Sequence, residues 1–104
     1  MQFDVFKNTN ASTKSRFPYL LDVQADLLNS LETRVVIPLS VESEAKDMVL
    51  SQLTPILTVK GKKHVAITPQ MAGIPARELA VQIENLSQFR AEIVAALDLL
   101  LTGV

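Results

Sequence analysis

His64 is the sole histidine of the chain, set between Lys63 and Val65, and there is no cysteine. Transition-metal sites draw on several His or Cys ligands, so no metal centre is expected, and His64 reads as an exposed residue at a strand edge. Asp22 and Asp26 stand in an alternating run. On a strand that spacing puts both carboxylates on one face, the arrangement that paired acids need for general acid–base work. A solvated sheet surface explains the same spacing more simply. Lys60, Lys62 and Lys63 form a small basic cluster with no interleaved aromatic rings, which suits a solvated turn better than a base-stacking platform. Gly61, Gly73 and Gly103 are isolated from one another, so no phosphate-cradling loop is present. No Gly-x-Ser-x-Gly elbow occurs either. The chemically capable residues do not assemble into a catalytic pattern, and no cofactor is implied.

The elements that must position these residues belong to a chain of 104 residues, 48% hydrophobic and 20% charged. Such a chain buries a real core and is expected to form a single domain over 1–104. Ten basic against 11 acidic residues give a net charge of −1, which argues against binding nucleic acid by phosphate neutralisation. The segment Met1-Gln2-Phe3-Asp4-Val5 lacks the pattern of a signal peptide. No apolar run approaches the ~20 residues a bilayer span needs. A soluble protein of the reducing cytoplasm, with no membrane partner, is the expectation.

Met1, Phe3 and Val5 alternate with polar residues, the period of a half-buried strand. Lys7 to Arg16 is polar and turn-rich, hence an exposed loop. Leu21, Val23, Ala25 and Leu27 alternate with Asp22, Gln24 and Asp26 and predict a second strand. Val35 to Leu39 is β-branched and dense, and Pro38 predicts an end, bulge or edge there. Leu53–Val59 and His64–Thr68 predict two strands joined by a hairpin turn at Lys60-Gly61-Lys62-Lys63. Val41 to Gln52 suits either a helix or a mobile loop. Met71 to Pro75 reads as a connection, because Pro75 disfavours helix at Ile74. Leu79 to Ile83 reads as a short strand.

The final segment predicts a helix, capped by Asn85 or Ser87. Phe89, Ile93, Ala96, Leu97, Leu100 and Val104 recur at three- and four-residue spacing as one broad apolar stripe. Ala91, Ala95, Asp98, Leu99 and Thr102 form a second face, small and partly apolar. Leu99-Leu100-Leu101-Thr102-Gly103-Val104 carries no polar tail, whereas termini are usually polar and frayed. Contact of this second face with a partner is expected; a helix sunk deep in its own core is the alternative.

Four separated strings carry a resemblance: Met1-Gln2-Phe3-x-Val5, Asp22-Val23-Gln24-Ala25-Asp26-Leu27-Leu28, Arg34-Val35-Val36-Ile37-Pro38-Leu39, and Leu86-Ser87 leading to Thr102-Gly103-Val104. In this order and spacing the chain resembles the CcdB family, the toxins of CcdA–CcdB toxin–antitoxin modules found on plasmids and bacterial chromosomes. The resemblance implies a mainly β, α+β fold. This is an SH3-like barrel of antiparallel strands, shared with MazF-type toxins, with a long C-terminal helix. It implies a homodimer whose paired helix ends present a symmetric surface to the A subunit of DNA gyrase. The toxin would trap the covalent gyrase–DNA complex and leave double-strand breaks, making and breaking no bond itself. Carried over by position, the gyrase-facing set is Leu27, Leu28, Asp98, Leu101, Thr102, Gly103 and Val104.

The same resemblance implies a CcdA-type antitoxin whose disordered tail docks on the polar segments carrying Asn8, Asn10, Ser12, Lys14 and Arg16, and Glu42, Glu44 and Lys46. DNA would be met only through the antitoxin, which binds the operator and autoregulates transcription, or through gyrase. The chain departs from the best-known members at Thr102, where they carry Trp, and at Asp98, where they carry an uncharged amide. Trp is a common interface anchor and Thr buries much less area, so weaker gyrase affinity is one implication. Two other readings stay open. One is a chromosomal homologue that binds antitoxin without being toxic. The other is a MazF-like endoribonuclease with Arg16, Arg34, Lys62 and Thr68 in a cationic groove.

Overall fold

The structure is a computed structural model, and it describes residues 1–103. Its strands are β1 (Asp4–Lys7), β2 (Tyr19–Asp22), β3 (Thr33–Val41), β4 (Ile56–Val59), β5 (Lys62–Ala66), β6 (Ala72–Pro75) and β7 (Gln82–Asn85), followed by helix α1 (Arg90–Thr102). They form one curled antiparallel sheet in the order β4-β5-β3-β2-β1-β7, with β6 pairing β3 off that path. The long strand β3 organises the sheet. Its first half pairs β6 from Val36↔Ala72 to Thr33↔Pro75, and its second half pairs β5 from Leu39↔Ala66 to Val41↔His64.

Pro38 does not end β3. It falls where β3 changes partner from β6 to β5, so its missing N–H removes no regular ladder bond. Its carbonyl still accepts the Ile67 N–H at 3.0 Å. The hairpin at Lys60-Gly61 forms as its residues predict. Both carry positive φ, 51° and 75°, the geometry of a two-residue turn that matches strand twist.

The strands alternate as half-buried strands must. Val5, Leu21, Ile37, Leu39, Leu57 and Val59 point into one core, which Phe3, Leu86 and Ile93 complete. A smaller cluster of Phe17, Ala45, Val65 and Ile67 forms apart from it. Helix α1 buries Ile93 and Ala96, and packs on the turns Ser51–Leu53, Thr68–Gln70 and Ser87–Phe89.

Five expectations are corrected. The strand around Met1–Val5 starts only at Asp4, because Phe3 takes a φ of 70° and Met1 is exposed. The second strand stops at Asp22, and Asp26–Leu28 is a 3-10 turn. Asp22 therefore does not share a solvated strand face with Asp26: it is 1% exposed and pairs with Arg34 at 2.6 Å. His64 is not at an edge but on β5 between β4 and β3. It is 2% exposed, with Nδ1 2.9 Å from the Lys62 carbonyl and its ring 5.3 Å from that of Tyr19. Residues 72–75 are strand rather than connection, since β3 offers a free edge that a local reading of Gly73 and Pro75 does not reveal.

The segment 41–52 resolves into three 3-10 turns, Glu42–Glu44, Lys46–Met48 and Ser51–Leu53. Ala45, fully buried, is its main anchor; one anchor without 3.6-residue periodicity does not sustain an α-helix. The short strand read at Leu79–Ile83 lies slightly later, at Gln82–Asn85.

Candidate interaction site

Neither Asn85 nor Ser87 caps α1, whose N-cap position is Phe89 with no side-chain cap bond; Asn85 instead sets the turn ahead of the helix. Its Oδ1 accepts the Ser87 N–H at 2.9 Å and also bonds the Ser87 hydroxyl, which starts the 3-10 turn Ser87–Phe89 that feeds the helix. Asn85 Nδ2 donates to Asp4 Oδ1 at 2.9 Å. Burial opposes ionisation of Asp4. The hydrogen bonds from Asn85, the amino group of Met1 and Gln82 outweigh it and hold the carboxyl below its ordinary value of 3.8.

The helix ends as a display. The two faces read from the sequence are present: Ile93 and Ala96 are buried, with Phe89, Leu97 and Leu100 half-buried beside them. On the second face Ala91, Ala95, Asp98 and Thr102 are exposed and Leu99 is half-buried. Leu101 is 66% exposed. Gly103 takes φ +77°, and its N–H closes the helix on the Leu99 carbonyl at 3.1 Å. This is a left-handed cap that glycine adopts without strain. Among the described residues, its chain neighbours aside, a Cβ added at Gly103 would meet no atom within 4 Å. The Thr102 hydroxyl donates back to the Asp98 carbonyl at 2.7 Å.

Helix carbonyls concentrate negative potential at a C-terminal end. Here no basic residue stands in the last turn, and the Asp98 carboxylate adds to it. Beside the helix's second face lies an open groove of about 480 Å³ between Ser51, Gln52, Pro55 and Ile56 on one side and Ala91, Glu92 and Ala95 on the other.

Leu27 is 91% exposed and Leu28 44%, both on the 3-10 turn Asp26–Leu28. That turn is not among the elements on which α1 chiefly packs. Within one chain the turn and the helix end are thus carried by different elements. Val104 lies outside the described residues.

The second predicted group is drawn together. The loop after β1 ends at Phe17 and the segment after β3 is anchored by Ala45, and both residues sit in the same small cluster. The loop itself is not loose. Asn8 is buried, donates to the Phe17 carbonyl at 2.8 Å and to Thr13 Oγ1 at 3.1 Å, and accepts from the Asn10 N–H. Asn8 is therefore a strut of the loop, not part of its surface. Asn10 Oδ1 accepts from the Ser12 N–H at 2.9 Å. Ser12, Lys14 and Arg16 are exposed, as are Glu44 and Lys46, while Glu42 is half-buried. The Arg16 guanidinium lies over the Phe17 ring, 5.2 Å from its centroid. A cavity of about 250 Å³ opens beneath the loop, floored by Leu20, Val36, Pro38 and Ile74.

The residues imagined in a cationic groove do not form one. Arg34 is committed to Asp22, and Thr68 is fully buried. Sequence reading missed the Asp22–Arg34 pair. The available signal was an arginine near the start of a largely apolar strand and an aspartate ending another. Among the described residues, no three His, Cys, Asp or Glu side chains gather as a metal site, and no helix is long and apolar enough to cross a membrane.

A curled antiparallel sheet with one C-terminal helix defines an α+β, SH3-like barrel. The CcdB protein family model matches residues 2–103, and the chain belongs to that family. It is the toxin component of a toxin–antitoxin module.

Proposed function

We propose that this toxin is a gyrase poison that acts by contact alone. Two copies present their helix ends and Leu27-Leu28 turns to the A subunit of DNA gyrase while the DNA is cut, and hold the covalent complex open. No bond is made or broken by the toxin. The observation that carries this reading is the helix end. Leu101 is two-thirds exposed near the exposed Asp98, on a helix whose last turn carries no basic residue. An apolar anchor inside a negative field suits a target that offers an apolar pocket rimmed by basic groups. Doubling by a two-fold axis makes a compact anchor on a two-fold target. The exposed Ala91/Ala95 face and its groove supply a surface for the second copy.

A CcdA-type antitoxin is proposed to dock on the loop and segment that share the Phe17–Ala45 cluster, at Asn10, Ser12, Lys14, Arg16, Glu42, Glu44 and Lys46. The cavity under the loop offers it an apolar seat. The module's DNA contacts belong to the antitoxin, in keeping with the near-neutral charge of this chain, and the toxin works in the cytoplasm where gyrase is.

Calorimetric titration of the purified gyrase A subunit tests the proposal. The expected result is saturable binding that weakens with added salt and is lost on adding antitoxin. Absence of binding by a folded, dimeric toxin overturns it and favours a homologue that only binds antitoxin. The Thr102 hydroxyl, turned back onto its own helix, leaves little more than a methyl group for an interface, which is the specific support for that second reading.

A further inference from the structure

The turn Asp26–Leu28 that exposes Leu27 buries none of its own side chains. Exposed turns of this kind ordinarily sample many conformations, and ordering them on binding weakens affinity. Here the turn is instead tied down by polar groups from two strands. Asp22, at the end of β2, accepts from Arg34 Nε at 3.0 Å and Nη2 at 2.6 Å, both on Oδ2. Its other oxygen accepts the Gln24 N–H at 3.0 Å. The pair is sealed, with Arg34 only 6% exposed.

Because the guanidinium is a rigid planar fork, fixing two of its nitrogens on Asp22 aims the third. Nη1 donates to Asn29 Oδ1, one residue beyond the leucine pair, and Nη2 also reaches the Gln24 carbonyl at 3.3 Å. Gln24 continues the clamp, accepting from the Val35 N–H and donating from Nε2 to the Leu28 carbonyl, each at 3.1 Å. On the outer side Asp26 Oδ1 accepts the Gln2 N–H at 2.7 Å.

We propose that Arg34, acting through Asn29 and Gln24, is the positioning residue that holds the Leu27-Leu28 turn in its binding conformation. Arg34 itself is sealed away from any partner. The proposal rests on the gyrase reading for the identity of that partner. A lysine cannot replace Arg34, since a point charge satisfies Asp22 without aiming a second donor at Asn29.

The test uses full-length toxin carrying Asn29→Ala, Leu27→Ala, or both. These changes leave the Asp22–Arg34 pair in place. Affinity for the purified gyrase A subunit is measured together with the order parameters of the backbone amides of residues 27–30. Each single change is expected to weaken binding, Asn29→Ala by about tenfold, the size of one lost hydrogen bond to a charged group. The double variant is expected to lose clearly less than the sum of the two single losses, because both act through the same turn. The turn amides lose order in Asn29→Ala, and Asn29→Asp restores both order and affinity. Strictly additive losses, or turn amides as ordered in Asn29→Ala as in the parent, overturn the proposal. If the parent toxin does not bind gyrase at all, the gyrase reading fails, while the amide order still decides whether Arg34 fixes the turn.

Discussion

Leu101 and Leu27 are both held out into solvent, but by opposite means. Leu101 rides on a helix whose inner face, through Ile93 and Ala96, is sunk in the core. Leu27 rides on a turn that buries none of its own side chains, stiffened by a buried ion pair and the amides that the pair orients. Packing resists change gradually, because each methylene contributes its own share. A buried ion pair resists all at once, because losing one partner leaves the other charged and unsolvated. The two displays should therefore fail differently, one by erosion and one by collapse.

Asp22→Leu is expected to have the largest effect, since it strands the Arg34 guanidinium in the protein. The cost is about 3–5 kcal/mol in urea unfolding, and most of it returns when Arg34→Met is added. Ile93→Ala follows at about 2–5 kcal/mol, measured the same way. Unlike Asp22→Leu, it should leave the amides of the Leu27 turn ordered in the molecules that remain folded. If both variants disorder the turn equally, the two displays are not independent.

Asn85→Ala removes both the start of the Ser87–Phe89 turn and the shortest hydrogen bond to Asp4, at a cost of about 1–3 kcal/mol at neutral pH. The native pKa of Asp4 lies below its ordinary value of 3.8, so its contribution is complete above that value and vanishes as pH falls through the native one. The part of the Asn85→Ala penalty that depends on Asp4 should shrink in strong acid. Unfolding curves at neutral and acidic pH check this, and a penalty that grows in acid would reverse the assignment.

The smallest effect belongs to Asp98→Asn. Removing a carboxylate from the negative end of α1 should stabilise the toxin by about 0.3–1 kcal/mol at low salt. It should nonetheless weaken gyrase association and flatten its salt dependence, as loss of a steering charge does. Gain in both stability and affinity would mean that Asp98 faces no basic group on the target.

The features legible in the sequence are those fixed by neighbours along the chain. Lys60-Gly61 declares its turn because only a residue tolerant of positive φ fits there. The stripe Phe89, Ile93, Ala96, Leu97 and Leu100 declares its helix by period alone. What was hidden depends on residues distant in sequence. Gly73 and Pro75 make a poor strand by propensity, yet β3 captures them as β6. Asp22 and His64 look solvent-facing until Arg34 and Tyr19 arrive across the sheet. Asn8 looks like loop surface and is the loop's internal strut.

The contact assignment faces its most direct test in supercoiled-plasmid cleavage by purified gyrase with ATP, comparing the parent toxin with Gly103→Arg. Among the described residues, chain neighbours aside, the added side chain meets no atom at Cβ, and the strain at φ +77° is limited to about 1–2 kcal/mol. The variant should therefore fold and still bind antitoxin. Linear DNA that requires both gyrase and the parent toxin, and disappears with the folded Gly103→Arg variant, is the expected result. No linear DNA with the parent, or equal cleavage with the variant, would contradict the assignment of the helix end as the gyrase contact.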